Sequence, residues 1–132
     1  MSGIRRLTIA GETDVARAAL EATQYSLDAG FEQTPALLIA TAVSELARNI
    51  FKYAHSGEIV LSIVDGPQGC GIQVVANDEG PGIPDTQAAM RDHFSSSGTL
   101  GLGLPGVKRL MDEFSLESVL GEGTCVTAIK WK

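Results

Sequence analysis

The glycine-rich segment of residues 101–106, which reads GLGLPG, constrains the fold more than any other feature of the sequence. It satisfies the G-x-G-x-x-G pattern of dinucleotide-binding folds, but that pattern requires a strand directly before the first glycine. The preceding residues 93–99 read HFSSSGT and do not form a strand pattern. A glycine-rich turn that runs into a helix also offers free backbone N–H groups to an anion. The segment therefore predicts a phosphate-binding turn outside a Rossmann fold.

Hydrophobic periodicity predicts the order strand, two helices, two strands, loop, helix, two strands. The expected strands are residues 4–10, 58–64, 71–76, 115–120 and 124–131. The expected helices run from the N-cap Thr13 to Gly30, from Thr34-Pro35 to about Tyr53, and from Leu104 to Phe114, and residues 86–98 are expected to form a partly helical, mobile loop. This order favours the α+β class, as a two-layer sandwich with a mixed β-sheet and helices on one face. Residues 1–132 are expected to form a single domain.

Composition argues against nucleic-acid-binding, membrane-associated and zinc-binding proteins. The net charge of −6 argues against a nucleic-acid-binding or anionic-membrane-binding surface, which requires a cationic footprint. The sequence begins without a long apolar stretch and contains no apolar run of transmembrane length, so a cytoplasmic protein is expected. Cys70 and Cys125 lie in apolar, alternating runs and are expected to be small buried residues. A zinc site is not expected, because C-x-x-C is absent and His55 and His93 are isolated.

The second expected helix carries a polar stripe beside its apolar one. Glu45 and Asn49 are four residues apart and therefore neighbours on the helix surface, with Thr41 and Lys52 near the same stripe. An ordinary solvated face would show the same spacing. Asparagine is less common inside helices than glutamate, which slightly favours a special role for Asn49.

Residues 77–85, NDEGPGIPD, follow the strand IQVVA directly. A carboxylate at a strand end, here Asp78, can accept hydrogen bonds from an amine of a ligand. Gly80 and Gly82 permit close backbone approach and positive φ. A tight surface loop without a ligand explains this segment about equally well.

Residues 121–126, GEGTCV, place Thr124 at the start of a strand after a turn, and a plain β-turn explains them as well. Lys108 and Arg109 follow the glycine-rich segment by one helical turn and are expected to face solvent rather than phosphate. A Walker P-loop and the eukaryotic-type protein kinase motifs are absent.

Four segments together resemble the motifs of the GHKL (Bergerat-fold) ATP-binding family in order and spacing, over essentially the whole chain. They are residues 45–49, 78–84, 101–106 and 123–124. The resemblance implies ATP and Mg²⁺ as cofactors. It implies that Asn49 binds Mg²⁺, that Glu45 acts as base or orienter for a substrate hydroxyl, and that Asp78, supported by Thr124, accepts from the adenine amino group. It further implies that Gly80 and Gly82 pass close to the base and ribose, that Gly101, Gly103 and Gly106 offer backbone donors to the phosphates, and that residues 85–99 form an ATP lid.

The segments SELARNIFKYA, GPGIPD, FSSSGTLGLGLPGVKRLMDEFSLES and GEGTCVTAIKW are similar, more narrowly, to the serine/threonine switch kinases of the bacterial stressosome. This resemblance implies phosphorylation of STAS-domain scaffold proteins, which releases the kinase so that it binds and activates a PP2C-type phosphatase or another downstream regulator. Two alternatives stay open: an anti-sigma factor with kinase activity, and a non-catalytic ATP-dependent binding module. A histidine-kinase fragment is less favoured, because no phosphoacceptor helix region is visible.

Overall fold

The computed structural model describes residues 3–67, 69–83 and 103–132. In chain order, the elements are β1 (Arg5–Ile9), α1 (Glu12–Asp28), α2 (Gln33–Asn49), a π-helical turn (Ile50–Ala54), β2 (Gly57–Gly66), β3 (Gly69–Asp78), α3 (Leu104–Leu110), β4 (Glu113–Val119) and β5 (Gly123–Trp131). The expected partly helical loop of residues 86–98 and the expected ATP lid of residues 85–99 lie outside the described residues.

The strands form a five-stranded sheet in the order β1-β2-β3-β5-β4. The expected α+β class is confirmed. The sheet itself corrects the expectation of a mixed sheet, because each of the four pairings between described strands is antiparallel. Tight hairpins join β2 to β3 and β4 to β5, and hairpins produce antiparallel neighbours. The pairing of β3 with β5 sets Asp78 directly opposite Thr124.

The helices cover one face of the sheet. Alternate residues of the central strands are buried, as expected when one face packs on a core and the other faces solvent. On α2, the buried stripe is rich in alanine, which lets the helix approach its neighbours closely. The buried residues of these elements are Ile59, Leu61, Ile72, Val74, Ala76, Val126 and Ala128 on the strands and Ala36, Ile39, Ala40, Ala42, Val43, Leu46 and Ala47 on α2. Cys70 and Cys125 are half-buried free thiols rather than buried residues.

The N-terminus of α1 differs from the expectation, whereas its C-terminus agrees. The N-cap is Gly11 rather than Thr13, because the carboxylate of Asp14 accepts from Ala10 N–H and Gly11 N–H, at 2.9 and 3.0 Å. At the other end, Gly30 has φ of +93° and its N–H donates to Leu27 O. The next N–H, of Phe31, donates to Ser26 O, which completes a Schellman motif.

The other helix boundaries shift by a few residues. The N-cap of α2 is Glu32, so Thr34 and Pro35 lie in the first turn. Its α-helical geometry ends at Asn49, four residues before the expected end, and the chain continues as the π-helical turn.

The last helix, α3, ends at Leu110 rather than Phe114. The N–H of Asp112 donates to Ile129 O, and its carboxylate accepts from Trp131 N–H at 2.7 Å, so β5 captures the chain as a strand. None of the helices in the described ranges combines the length and apolar character needed to cross a bilayer.

Candidate functional site

A pocket opens where α2 and the π-helical turn meet the ends of β3 and β5 and the start of α3. Its walls are mostly apolar, with a small number of polar groups that face the same space, which is typical of sites for small organic ligands. The apolar lining includes Leu46, Ile50, Ala76, Ile83, Leu104 and Val126, and the polar lining includes Asn49, Tyr53, Asp78 and Thr124.

Asp78 and Thr124 form the polar end of this pocket. They are cross-strand partners of β3 and β5, so their side chains leave the sheet on the same face. Asp78 Oδ1 accepts a hydrogen bond of 2.9 Å from Gly80 N–H, which fixes the orientation of the carboxylate. The carboxylate retains further acceptor capacity for a donor in the pocket.

The glycines of the loop after β3 are required by close backbone approach. A Cβ at Gly80 would lie 2.6 Å from Ala54 Cβ, in the π-helical turn. Gly82 has φ of +80°, and a Cβ there would lie 2.6 Å from Val119 O. Both glycines are therefore needed for the packing of this loop against other parts of the chain.

Glu45 and Asn49 lie one turn apart on α2, as their spacing predicted. Asn49 lines the pocket. Glu45 is half-buried, and its Oε1 forms a 2.8 Å ion pair with Arg48 Nη1. Its other carboxylate oxygen lies against Gly103, at the position a Cβ of that residue would overlap. The structure thus brings Glu45 to the start of α3.

The glycine-rich segment is described from Gly103 onward, and Gly101 lies outside the described residues. Gly103 is the N-cap of α3 in a left-handed conformation, with φ of +66°. Gly106 lies in the first turn of α3, and a Cβ at this position would have no atom of the described residues within 4 Å. Lys108 and Arg109 are exposed in the last turn.

Three features of the site were missed by the sequence reasoning. The π-helical turn places Tyr53 on the pocket wall, with Lys52 Nζ 5.5 Å from the centroid of its ring. Ser118 Oγ accepts from Ile83 N–H at 2.7 Å. Gly121 N–H donates to Pro81 O at 2.9 Å. The last two depend on contacts distant in sequence, for which local patterns carry no signal.

The chain is similar in sequence to a family of known proteins and to several of its members. A family model described as a histidine kinase-like ATPase domain matches residues 9–130. The serine/threonine-protein kinase RsbT of Bacillus subtilis (strain 168) is 51% identical over 120 residues, which are 91% of this chain and 90% of RsbT. An anti-sigma F factor of Caldanaerobacter subterraneus subsp. tengcongensis is 30% identical over 135 residues, covering 99% of this chain and 93% of that protein. An anti-sigma F factor of Thermoanaerobacter sp. (strain X514) is 33% identical over 97 residues, covering 70% and 68%. With a family model that spans nearly the whole chain, and with relatives of this length and identity, the chain belongs to the histidine kinase-like ATPase domain family.

Proposed function

We propose that this protein is an ATP-dependent serine/threonine protein kinase, with residues 1–132 forming one cytoplasmic kinase domain. The observation that carries the proposal is that Asn49 and Asp78 line one mostly apolar pocket, while Glu45 lies one helical turn from Asn49 and against Gly103. The 51% identity to RsbT, a protein named as a serine/threonine-protein kinase, supports it.

The pocket suits the adenine base. Its apolar walls match the two faces of a planar heterocycle, and the Asp78 carboxylate is an acceptor for the exocyclic amino group. Thr124 lies beside Asp78 and supports the same contact. Gly80 and Gly82 keep the loop close enough to form the wall against base and ribose.

The other end of the site suits phosphates and Mg²⁺. The side-chain oxygen of Asn49 is the hard oxygen ligand that Mg²⁺ prefers, so the donor chemistry fits the ion. The backbone N–H groups of Gly101, Gly103 and Gly106 would donate to the phosphate oxygens. When bound, Mg²⁺ neutralises charge on the phosphates.

Glu45 is the proposed base or orienter for the substrate hydroxyl. In the transfer step, the hydroxyl oxygen of a protein serine or threonine forms a bond to the γ-phosphorus. The bond from that phosphorus to the bridging oxygen breaks, ADP leaves, and Glu45 accepts the hydroxyl proton. Such a reaction depends mainly on positioning and electrostatics, so a small domain without a nucleophilic side chain suffices.

We propose STAS-domain scaffold proteins as the substrates, with a PP2C-type phosphatase or another downstream regulator as the second partner. Phosphorylation would release the kinase from its scaffold, so the enzyme acts as a partner switch in a stress response. A second candidate is an anti-sigma factor with kinase activity, which the 30% identity to an anti-sigma F factor over 99% of the chain favours. Pull-down with a sigma factor and with a STAS scaffold separates these two candidates.

The test is transfer of radiolabelled phosphate from ATP to a STAS-domain partner. We expect Asn49→Ala to abolish transfer, because the proposed Mg²⁺ ligand is lost. Asn77→Ala is the matched control, since this asparagine is exposed and precedes Asp78 on β3. Unchanged transfer by Asn49→Ala would refute the assignment. ATP binding without any transfer by the wild type would favour the non-catalytic binding module instead.

A further inference from the structure

A serine hydroxyl lies directly behind the polar end of the pocket. Ser118, on the edge strand β4, is half-buried and accepts from Ile83 N–H at 2.7 Å. Its Oγ is also 3.2 Å from Gly123 O and 3.1 Å from Thr124 Oγ1. Thr124 and Ile83 line the pocket, so Ser118 contacts two of its wall residues.

Either hydroxyl could be the donor in the contact between Ser118 and Thr124, and the hydrogen-bonding capacity of the surrounding groups favours one direction. A serine hydroxyl has one proton to donate and two lone pairs to accept with. The carbonyl of Gly123 can only accept, and Ile83 N–H can only donate. The arrangement that uses the full capacity of Ser118 has its proton on Gly123 O and its lone pairs occupied by Ile83 N–H and by the hydroxyl proton of Thr124.

This arrangement fixes the polarity of Thr124. With its own proton directed at Ser118, the Thr124 oxygen can present only lone pairs to the pocket, beside the acceptor carboxylate of Asp78. A pocket end made only of acceptors fits the exocyclic amino group of adenine. It does not fit guanine, which carries a carbonyl oxygen at the equivalent ring position.

We propose that Ser118 is a positioning residue that makes Thr124 an acceptor and thereby favours adenine over guanine nucleotides. This inference rests on the proposed function, in which the base of ATP occupies the pocket. Ser118 acts through Thr124 and does not itself line the pocket.

The backbone around Ser118 is held by contacts that do not involve its hydroxyl. Gly121 N–H donates to Pro81 O at 2.9 Å. Gly123 packs so closely on Asp78 that a Cβ would overlap the carbonyl oxygen of Asp78. Removal of the Ser118 hydroxyl therefore leaves the hairpin seated on the pocket loop, and we expect Ser118→Ala to fold.

The experiment measures the affinities of Mg-ATP and Mg-GTP by calorimetry for the wild type and Ser118→Ala. Ser115→Ala is the matched control, because Ser115 is exposed on the same strand. We expect Ser118→Ala to lower the preference for ATP over GTP by roughly three- to tenfold, the effect of one hydrogen bond. Ser118→Thr, which keeps the hydroxyl, should restore most of the preference. In a Thr124→Val background, Ser118→Ala should leave the preference unchanged.

The possible results separate the inference from the function on which it rests. A wild type that binds neither nucleotide refutes the proposed function. A wild type that prefers ATP, with an equal preference in Ser118→Ala and Ser115→Ala, refutes the inference and leaves the proposed function standing. Loss of preference in Ser118→Ala that persists at the same size in the Thr124→Val background also refutes it, because Ser118 would then act by another route.

Discussion

The two described glycines of the glycine-rich segment should respond in opposite ways to replacement by alanine. Gly103 has φ of +66° and ψ of 11°, a left-handed conformation that costs an L-residue about 1–2 kcal/mol. Gly106 lies inside α3, and an alanine Cβ there would have no atom of the described residues within 4 Å. We therefore expect Gly103→Ala to destabilise the protein and Gly106→Ala to stabilise it.

The size of the difference follows from these two conformations. Alanine in place of glycine within a helix stabilises by roughly 0.5–1 kcal/mol. The free energies of unfolding of the two variants should then differ by about 1.5–3 kcal/mol. For a chain of 132 residues, this corresponds to a difference in melting temperature of roughly 5–10 °C.

Thermal and urea unfolding without nucleotide measure this difference. Among the described residues, a Cβ at residue 103 would overlap the far end of the Glu45 side chain, which can move. In a Glu45→Ala background, Gly103→Ala should therefore still destabilise the protein by nearly the same amount, because the destabilisation arises from the backbone conformation. Equal stability of Gly103→Ala and Gly106→Ala would refute the reasoning.

Three further substitutions test other parts of the fold. His55 is exposed with φ of +71°, so His55→Gly should raise the free energy of unfolding by about 1 kcal/mol and shift the urea midpoint upward. An unchanged midpoint would contradict this. Gly82→Ala should lower the free energy of unfolding by at least about 2 kcal/mol, because φ is +80° and the new Cβ would meet the backbone of Val119. A variant as stable as the wild type in urea would show that the loop is not held against Val119. The N–H of Ala10, with that of Gly11 and the charge of Arg17, lowers the pKa of Asp14 below 3.8. Its ionised form therefore stabilises the fold at neutral pH and loses this effect as pH falls through the lowered pKa. The difference in free energy of unfolding between wild type and Asp14→Asn should shrink on acidification. A difference that stays constant with pH would show that the ionised carboxylate does not stabilise the fold.

Features encoded by local pattern could be predicted from the sequence. Runs of β-branched residues predicted β2 and β3, and Gly30 predicted the end of α1. The spacing of Glu45 and Asn49 predicted that they share a helix face. Each of these depends on neighbours within a few residues.

Features decided by distant contacts could not be predicted. Phe114 continues the helical spacing of α3, but pairing with β5 draws it into a strand. The register of β3 with β5, which places Asp78 opposite Thr124, is set by the whole sheet. The position of Ser118 behind the pocket is set by hydrogen bonds across 35 residues to Ile83 and across six to Thr124.

Calorimetric titration of Mg-ATP into the wild type and Asp78→Asn tests the central claim, that this pocket binds ATP through its adenine base. Asp65→Asn, an exposed change on β2, is the control. We expect the wild type and the control to bind ATP equally and Asp78→Asn to bind roughly 10- to 100-fold more weakly, because a hydrogen bond to a charged group is lost. Equal ATP affinity of Asp78→Asn and the wild type would contradict the account.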